Sequence, residues 1–209
     1  MDDHPLVRDG MALLIGAEPD LQICGSTGSI HEALQQLAKV EPDLMIVDLS
    51  LKDGLSLDLI KTVKERYPKM RTLVVSAYDE NLYAERALRN GASGYVNKQE
   101  CEATLLLAIR TVLAGRRYVS DEILQRLINQ AIGDTGSPSG DPVERLTNRE
   151  LEIFRLIGQG ITPAAIADQL HISPHTVDSH REKMRHKLSL ENGRELMQRA
   201  MRWVLEHNQ

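Results

Sequence analysis

No window of this 209-residue chain approaches the 18 or so consecutive apolar residues of a membrane span, so a bilayer-crossing protein is not expected. The opening Met1-Asp2-Asp3-His4-Pro5 has neither the basic start nor the apolar run of a signal peptide. Cysteine is scarce. Cys24 and Cys101 lie far apart, without metal-type spacing, and read as reduced thiols of a cytoplasmic protein. No internal repeat is present, and the excess of one charge sign is small. The net charge of −5 arises in residues 1–114, where 17 Asp+Glu face 12 Lys+Arg. Residues 146–209 are close to neutral and hold five of the seven histidines. That asymmetry points to two domains with different partners, and the tail is not basic enough for charge alone to establish nucleic-acid binding. Hydrophobic residues, at 42%, suffice for a packed core.

In the front part, Leu44-Met45-Ile46-Val47 is an apolar run bounded by Pro42-Asp43 before and Asp53-Gly54 after. It reads as a short strand buried on both faces, as in a parallel sheet. Asp48 stands at its carboxyl end, where open α/β sheets keep their ligand sites. Leu21-Gln22-Ile23-Cys24-Gly25, Arg71 to Val75 ending at Ser76, and Ser93 to Val96 ending at Lys98 are further strand candidates. Helices are expected from Pro5 to Ala17, from a Ser29 cap to about Val40, and over Leu57–Arg66, Asp79–Asn90 and Glu100–Ala114. Glu32, three residues after Ser29, suggests a capping box. Strands alternating with helices of 10 to 15 residues argue for βαβ units and a parallel sheet with helices on both faces. Asp48, Ser76 and Lys98 then converge at one sheet edge. Asp2 and Asp3 precede the first helix, where another strand should end.

Two or three clustered carboxylates suit Mg²⁺, which accepts one or two carboxylates plus phosphate oxygens. Such an ion offsets charge on a phosphoryl group moving to Asp48, while Lys98 and Ser76 hold its other oxygens. In order and spacing, Asp2-Asp3, Asp48, Ser76 and Gly94-Tyr95-Val96-Asn97-Lys98 resemble the receiver domain of two-component response regulators, over residues 1 to about 114. The resemblance implies a flavodoxin-like doubly wound parallel sheet with Asp48 as phospho-acceptor. It implies Mg²⁺ held directly by Asp3 and Asp48, through water by Asp2, and by the Ser50 backbone carbonyl. It implies Ser76 and Tyr95 as a switch pair, the hydroxyl moving to the phosphate and the ring turning inward.

Two departures stand out. Receiver domains begin with an apolar strand ahead of the acidic pair, and here only Met1 precedes it. The expectation is a sheet without its first strand, arising from a GTG valine codon read as a start, which the intact mass of the native protein checks. Gln99 follows Lys98 in place of Pro, which leaves the role of the charge intact. A rival reading is a phosphatase with an aspartyl nucleophile. Families resembling haloacid dehalogenases use Asp-x-Asp, and Leu49-Ser50 after Asp48 leaves the second acid's role unfilled, so no enzyme is expected.

Asp121 to Ile132 is one more amphipathic helix, and the turn-forming stretch from Gly133 to Pro142 reads as a linker. Beyond it only helices are expected, at about Asn148–Ile157, Pro163–Leu170, Pro174–Leu188 and Arg194–His207. Thr147 with Glu150 forms a capping box, and Ser173-Pro174 caps the third of these helices after a tight turn. A short helix, a tight turn and a longer helix make the helix-turn-helix layout, whose second helix enters the major groove. On that helix His175, Asp178, Ser179, Glu182 and His186 share the side opposite Val177 and Met184, with Thr176 beside them at its start. Arg181, Lys183, Arg185 and Lys187 flank them as phosphate arms. Asp178 and Glu182 suit the cytosine amino group, although acids facing a polyanion cost affinity.

Leu146-Thr147-x-Arg149-Glu150 with Ile172-Ser173-Pro174-His175-Thr176-Val177-x-Ser179-His180 closely resembles the LuxR-type helix-turn-helix. Pro163-Ala164-Ala165 replaces a usual polar stretch, and Ser189 stands where the family usually has Gly. Leu196, Ala200, Trp203 and Val204 of the last helix look like a dimerisation face or, equally, like packing within the four-helix unit. The order of receiver (1–114), helix and linker (115–145) and helix-turn-helix (146–209) is that of the NarL/FixJ group. The resemblance implies a cytoplasmic transcription factor that takes a phosphoryl group from a histidine kinase onto Asp48. It further implies binding to double-stranded DNA, as a homodimer when phosphorylated. The competing function is a phosphorylation-independent regulator whose receiver only docks partners.

Overall fold

The computed structural model describes residues 1–52, 54–132 and 141–207, which fall into two compact units, Met1–Asp134 and Thr135–Gln209. Residues 133–140 of the expected linker, and Asp53 of the expected Asp-Gly turn, lie outside the described residues.

In the first unit the elements run α1 (Pro5–Gly16), α2 (Ile30–Leu37), β1 (Leu44–Val47), β2 (Ser50–Leu51), β3 (Gly54–Leu55), α3 (Leu57–Arg66), β4 (Arg71–Ser76), α4 (Glu80–Arg89), β5 (Gly94–Asn97), α5 (Glu102–Leu113) and α6 (Asp121–Ile132). Three strands make a parallel sheet in the order β1-β4-β5, with Leu44 opposite Arg71 and Leu73 opposite Gly94. Leu73, Val75 and Val96 pack on Leu105, Ala108, Ile109 and Val112 of α5. Side chains alternate along a strand, so Thr72 and Val74, also buried, serve the opposite face. That two-sided burial is why the strands are continuous apolar runs.

The strand expected at Leu21–Gly25 is absent. Residues 22–25 run exposed and without a ladder. A strand exists through its neighbours, and among the described residues the outer edge of β1 carries backbone bonds only to Met1, so residues 21–25 have no strand to join. The capping box at Ser29 is half made. Ser29 Oγ accepts from Glu32 N, but the Glu32 carboxylate accepts a hydrogen bond from the Thr27 hydroxyl, and Ser29 N donates to Thr27 Oγ1 instead. The small β2–β3 ladder, which pairs Ser50 with Leu55, was not foreseen.

Among its described residues the second unit holds a 3₁₀ turn (Pro142–Arg145) and four helices, α7 (Asn148–Gly158), α8 (Pro163–Gln169), α9 (Pro174–Lys187) and α10 (Gly193–His207). The Thr147–Glu150 capping box is complete. Phe154 of α7 meets Trp203 of α10 edge to face at 5.8 Å. At Gly158 an added Cβ would overlap the Ala200 carbonyl and Val204, so glycine sets how closely these helices approach. Leu196, Ala200, Trp203 and Val204 are buried in this packing. The intradomain reading of that face is therefore correct, and the apolar residues α10 leaves exposed are Met197, Met201 and Leu205. His171 and Ser189, which close α8 and α9, adopt left-handed backbone with φ of 51° and 56°.

Candidate functional site

β1 delivers Asp48 to its carboxyl end, where the residue is only 4% exposed. One carboxylate oxygen accepts from Ser50 N at 3.2 Å, and the other lies 2.7 Å from the Lys98 ammonium. Lys98 follows β5, and its backbone N donates to Ser76 O at 2.8 Å, which fixes the root of the side chain against the end of β4. The same ammonium lies 2.7 Å from Asp2 Oδ2. Lys98 thus bridges two buried carboxylates. Asp2, Asp3, His4 and Asp48 each bring a ligand atom within 4.8 Å of the others. His4 Nδ1 is 2.9 Å from Asp3 Oδ1, and its backbone N donates to Asp2 Oδ1 at 2.9 Å.

The electrostatics follow from burial. Burial pushes the Asp48 carboxyl above its ordinary pKa, against the opposing hydrogen bond from Lys98. Burial also works to lower Lys98, but its pairing with Asp2 and Asp48 prevails and holds it above the usual lysine value. The arrangement is a desolvated, acid-rich cup in which Lys98 is a fixed cation. Hard oxygen donors clustered this closely fit Mg²⁺.

Ser76 is fully buried, and its hydroxyl accepts from Tyr78 N at 3.1 Å. Tyr95 is 1% exposed, beside that hydroxyl, and its O–H donates to Tyr78 O at 2.9 Å. Burial raises the pKa of its phenol far above normal. The structure therefore brings Asp2, Asp3, Asp48, Ser50 and Lys98 together, with Ser76 and Tyr95 behind them and engaged with each other's neighbourhood. Two participants escaped the sequence. The Tyr78 hydroxyl donates to Ser50 Oγ at 2.8 Å across the mouth of the cup, and Ser56 Oγ donates to Asp48 O at 2.8 Å. A polar aromatic two residues beyond a strand end was the available signal for Tyr78.

In the second unit, α8, the turn at His171 and α9 form the expected helix-turn-helix. Val177 and Met184 are buried, which turns His175, Asp178, Glu182, Lys183 and His186 outward as exposed residues. Thr176 and Ser179 are half-buried and locally engaged, Thr176 with Ser173 Oγ and Ser179 Oγ with His175 O. Arg181 pairs with Asp178 at 2.9 Å and Arg185 with Glu182 at 2.6 Å, so each acid on this face is neutralised from its own helix. Arg185 also donates to Glu191 O. Lys187 is corrected as a phosphate arm, because its ammonium lies 2.6 Å from buried Glu150 of α7 and ties the two helices together.

Comparison with known proteins agrees with both halves. The family described as response regulator receiver domain matches residues 1–110, and that of bacterial regulatory proteins, luxR family, matches residues 144–200. The oxygen regulatory protein NreC of Staphylococcus carnosus (strain TM300) is 34% identical over 206 residues, covering 96% of this chain and 94% of that protein. NreC of Staphylococcus haemolyticus (strain JCSC1435) is 35% identical with the same coverage. Among solved structures, RcsB from Salmonella enterica serovar Typhimurium, bound to promoter rprA with the phosphomimetic BeF3-, gives a TM-score of 0.66 at 26% identity, covering 94% of each chain. A LuxR-family two-component response regulator from Aurantimonas sp. SI85-9A1 gives 0.58 at 30% identity, over 63% of this chain and 94% of that one. Among the described residues no helix is long and apolar enough to cross a membrane.

Proposed function

The chain belongs to the response regulators that join a receiver domain to a LuxR-type DNA-binding domain, and we propose that it carries its signal as a phosphoryl group on Asp48. It is a two-component transcription regulator and not an enzyme. The observation that carries the proposal is the Lys98 ammonium, 2.7 Å from both Asp2 and Asp48 at the carboxyl end of β1.

A carboxylate oxygen of Asp48 forms a bond to phosphorus as the bond from phosphorus to the imidazole nitrogen of a kinase phosphohistidine breaks. Lys98, already paired with that carboxylate, is placed to follow the negative charge onto the phosphoryl oxygens. Asp2, Asp3 and Asp48, with the Ser50 backbone carbonyl, are the residues that would hold Mg²⁺, whose positive charge offsets those oxygens when it is bound. The Ser76 hydroxyl now accepts from Tyr78 N, so reaching a phosphoryl oxygen requires it to leave that bond. Tyr95 is held by the Tyr78 carbonyl on the same loop, so the two motions are coupled through residue 78.

We assign residues 1–114 to the receiver, 115–145 to a helix and linker, and 146–209 to the DNA-binding unit. Helix α9 serves as the major-groove reader, with His175, Asp178, Glu182 and His186 towards the bases and Thr176 and Ser179 at its start. Arg181, Lys183 and Arg185 serve as phosphate arms. Binding double-stranded DNA requires Arg181 and Arg185 to trade carboxylates for phosphates. A homodimer fits through the exposed Met197, Met201 and Leu205 of α10. The setting is the cytoplasm, with a sensor histidine kinase as donor.

Asp48→Asn tests the reading. In the wild type a phosphodonor with Mg²⁺ raises dimerisation and DNA binding, and in the variant it does not. An equal response in both chains would sink the proposal and favour the phosphorylation-independent regulator. A footprint repeated at rising salt checks the phosphate arms, because genuine phosphate contacts weaken steeply with ionic strength.

A further inference from the structure

Ser56 stands directly before α3, in the N-cap position, and is fully buried. A serine there ordinarily accepts from a backbone amide two or three residues on, which satisfies one of the helix's free donors. Ser29, Thr147, Thr162 and Ser173 do so at their own helices, each with extended backbone and each accepting from the amide three residues ahead. Ser56 does not. Its backbone turns to φ −75° and ψ 5°, and its side chain makes no cap bond. The hydroxyl points back instead and donates to Asp48 O at 2.8 Å. Helix α3 starts without the local bond its sequence offers, and the hydroxyl serves the phosphorylation site.

Ser56 holds the neighbouring peptide as well. Its backbone N donates to Leu49 O at 2.9 Å. Two successive carbonyls, those of Asp48 and Leu49, are therefore fixed by one buried residue. Ser50 then pairs with Leu55 in the β2–β3 ladder, which closes the segment onto the same anchor. The consequence reaches the cup. A peptide is a rigid plane, so a held carbonyl fixes the whole unit. The planes joining 48 to 49 and 49 to 50 set where the Asp48 carboxylate lies relative to Ser50. Ser50 N already donates to one oxygen of that carboxylate at 3.2 Å, and the Ser50 carbonyl, proposed as a Mg²⁺ ligand, belongs to the same short stretch. Asp48 and Ser56 are both buried, so solvent is a poor replacement for the hydroxyl.

We propose that Ser56 is a positioning residue of the phosphorylation site. It acts through the backbone of residues 48–50, holding the Asp48 carboxylate and the Ser50 carbonyl in a single geometry. Mg²⁺ demands near-ideal octahedral placement of its oxygens, so a small drift of either one weakens its binding. Partners behind the ligands of a metal govern affinity in this way without touching the ion. The proposal rests on the reading of Asp48 as phospho-acceptor and adds the residue that keeps this acid in register with its metal partner.

The test uses the full chain with Ser56→Ala and, as a control, Ile109→Val, which trims a buried side chain of α5 in the sheet core. Mg²⁺ binding is followed by calorimetry without any phosphodonor. Ser56→Ala is expected to weaken Mg²⁺ by about tenfold or more, as the loss of such a supporting partner does. Ile109→Val loses stability to a similar extent and is expected to bind Mg²⁺ as the wild type does. Phosphoryl uptake from acetyl phosphate is expected to be slower in Ser56→Ala at limiting Mg²⁺ and to recover most of the wild-type rate at saturating Mg²⁺. Equal Mg²⁺ affinity in Ser56→Ala and wild type, or no binding to the wild type at all, would overturn the proposal. So would an equal loss in Ile109→Val, which would trace the effect to stability, or an uptake deficit that persists in full at saturating Mg²⁺. A failure of the phospho-acceptor reading shows elsewhere, as uptake by Asp48→Asn equal to that of the wild type, and leaves the Mg²⁺ comparison standing.

Discussion

Replacing Lys98 by methionine removes the cation that bridges two buried acids. The ammonium lies 2.7 Å from Asp2 and from Asp48, and the acid ligand atoms of the cup lie within 4.8 Å of one another. At 4.8 Å, with an effective dielectric near 20, two carboxylate charges repel by about 3.5 kcal/mol. Breaking a buried ion pair by removing one partner costs a similar amount, about 3–5 kcal/mol. Lys98→Met is therefore expected to destabilise the first unit by about 3 kcal/mol near pH 7.5, roughly 10 °C in its thermal midpoint. The loss has a pH signature. The folded pKa of Lys98 is raised, so its contribution in the wild type is fully present below the unfolded lysine value, about 10.4, and is lost as pH climbs through the folded one. The folded pKa of Asp48 is also raised, so acid neutralises it early and relieves the repulsion in the variant. The gap between the two proteins should be widest from about pH 6 to 10 and should narrow below about pH 5. Mg²⁺ should restore part of the lost stability at neutral pH, by about 1.4 kcal/mol at ten times its dissociation constant. Circular-dichroism melts across pH, with and without Mg²⁺, read all three effects. A variant as stable as the wild type at neutral pH, or a loss that neither acid nor Mg²⁺ changes, would refute the account of Lys98 as the bridge.

Ser189 sits at φ 56° at the end of α9, a conformation that glycine adopts without penalty. Ser189→Gly is expected to stabilise the second unit by about 1 kcal/mol in urea denaturation, and a lower midpoint would contradict the assignment. Burial works to raise the Glu150 carboxyl, but Lys187 and the Thr147 cap prevail, and its pKa lies below the ordinary value. That contribution to stability is present above the unfolded glutamate value, about 4.3, and is lost as pH falls through the folded one. Lys187→Met is expected to cost about 1–3 kcal/mol at pH 7 and to flatten this acid limb. An unchanged stability-versus-pH curve would show that the α7–α9 bridge contributes nothing.

Much of this protein was legible residue by residue because its signals are local. Leu44 to Val47 reads as a doubly buried strand from four apolar residues in a row, and Thr147 with Glu150, like Ser173 with Pro174, marks a helix start through bonds within one turn. The positions of Asp48, Ser76 and Lys98 at strand ends follow from the same periodicity, since a parallel sheet places successive strand ends on one edge. The pairing of Asp178 with Arg181 is likewise local, three residues apart on one helix.

Tertiary structure decided whatever depends on a distant partner. Leu21 to Gly25 has the composition of a strand, but a ladder needs a neighbour, and among the described residues only Met1 supplies backbone bonds to the outer edge of β1. Helix α10 carries apolar residues on two sides, and periodicity cannot tell which side is inside. Packing against Phe154 and Gly158 buries Leu196, Ala200, Trp203 and Val204 and leaves Met197, Met201 and Leu205 in solvent. Lys187 looked like a phosphate arm on its own helix until α7 brought Glu150, 37 positions away in sequence, to 2.6 Å. Tyr78 reaches Ser50 because β4 lies directly beside β1. The residue types on which the proposed phosphoryl chemistry rests stand in the chain itself, whereas their burial and their pairing with one another were set by what the fold places around them.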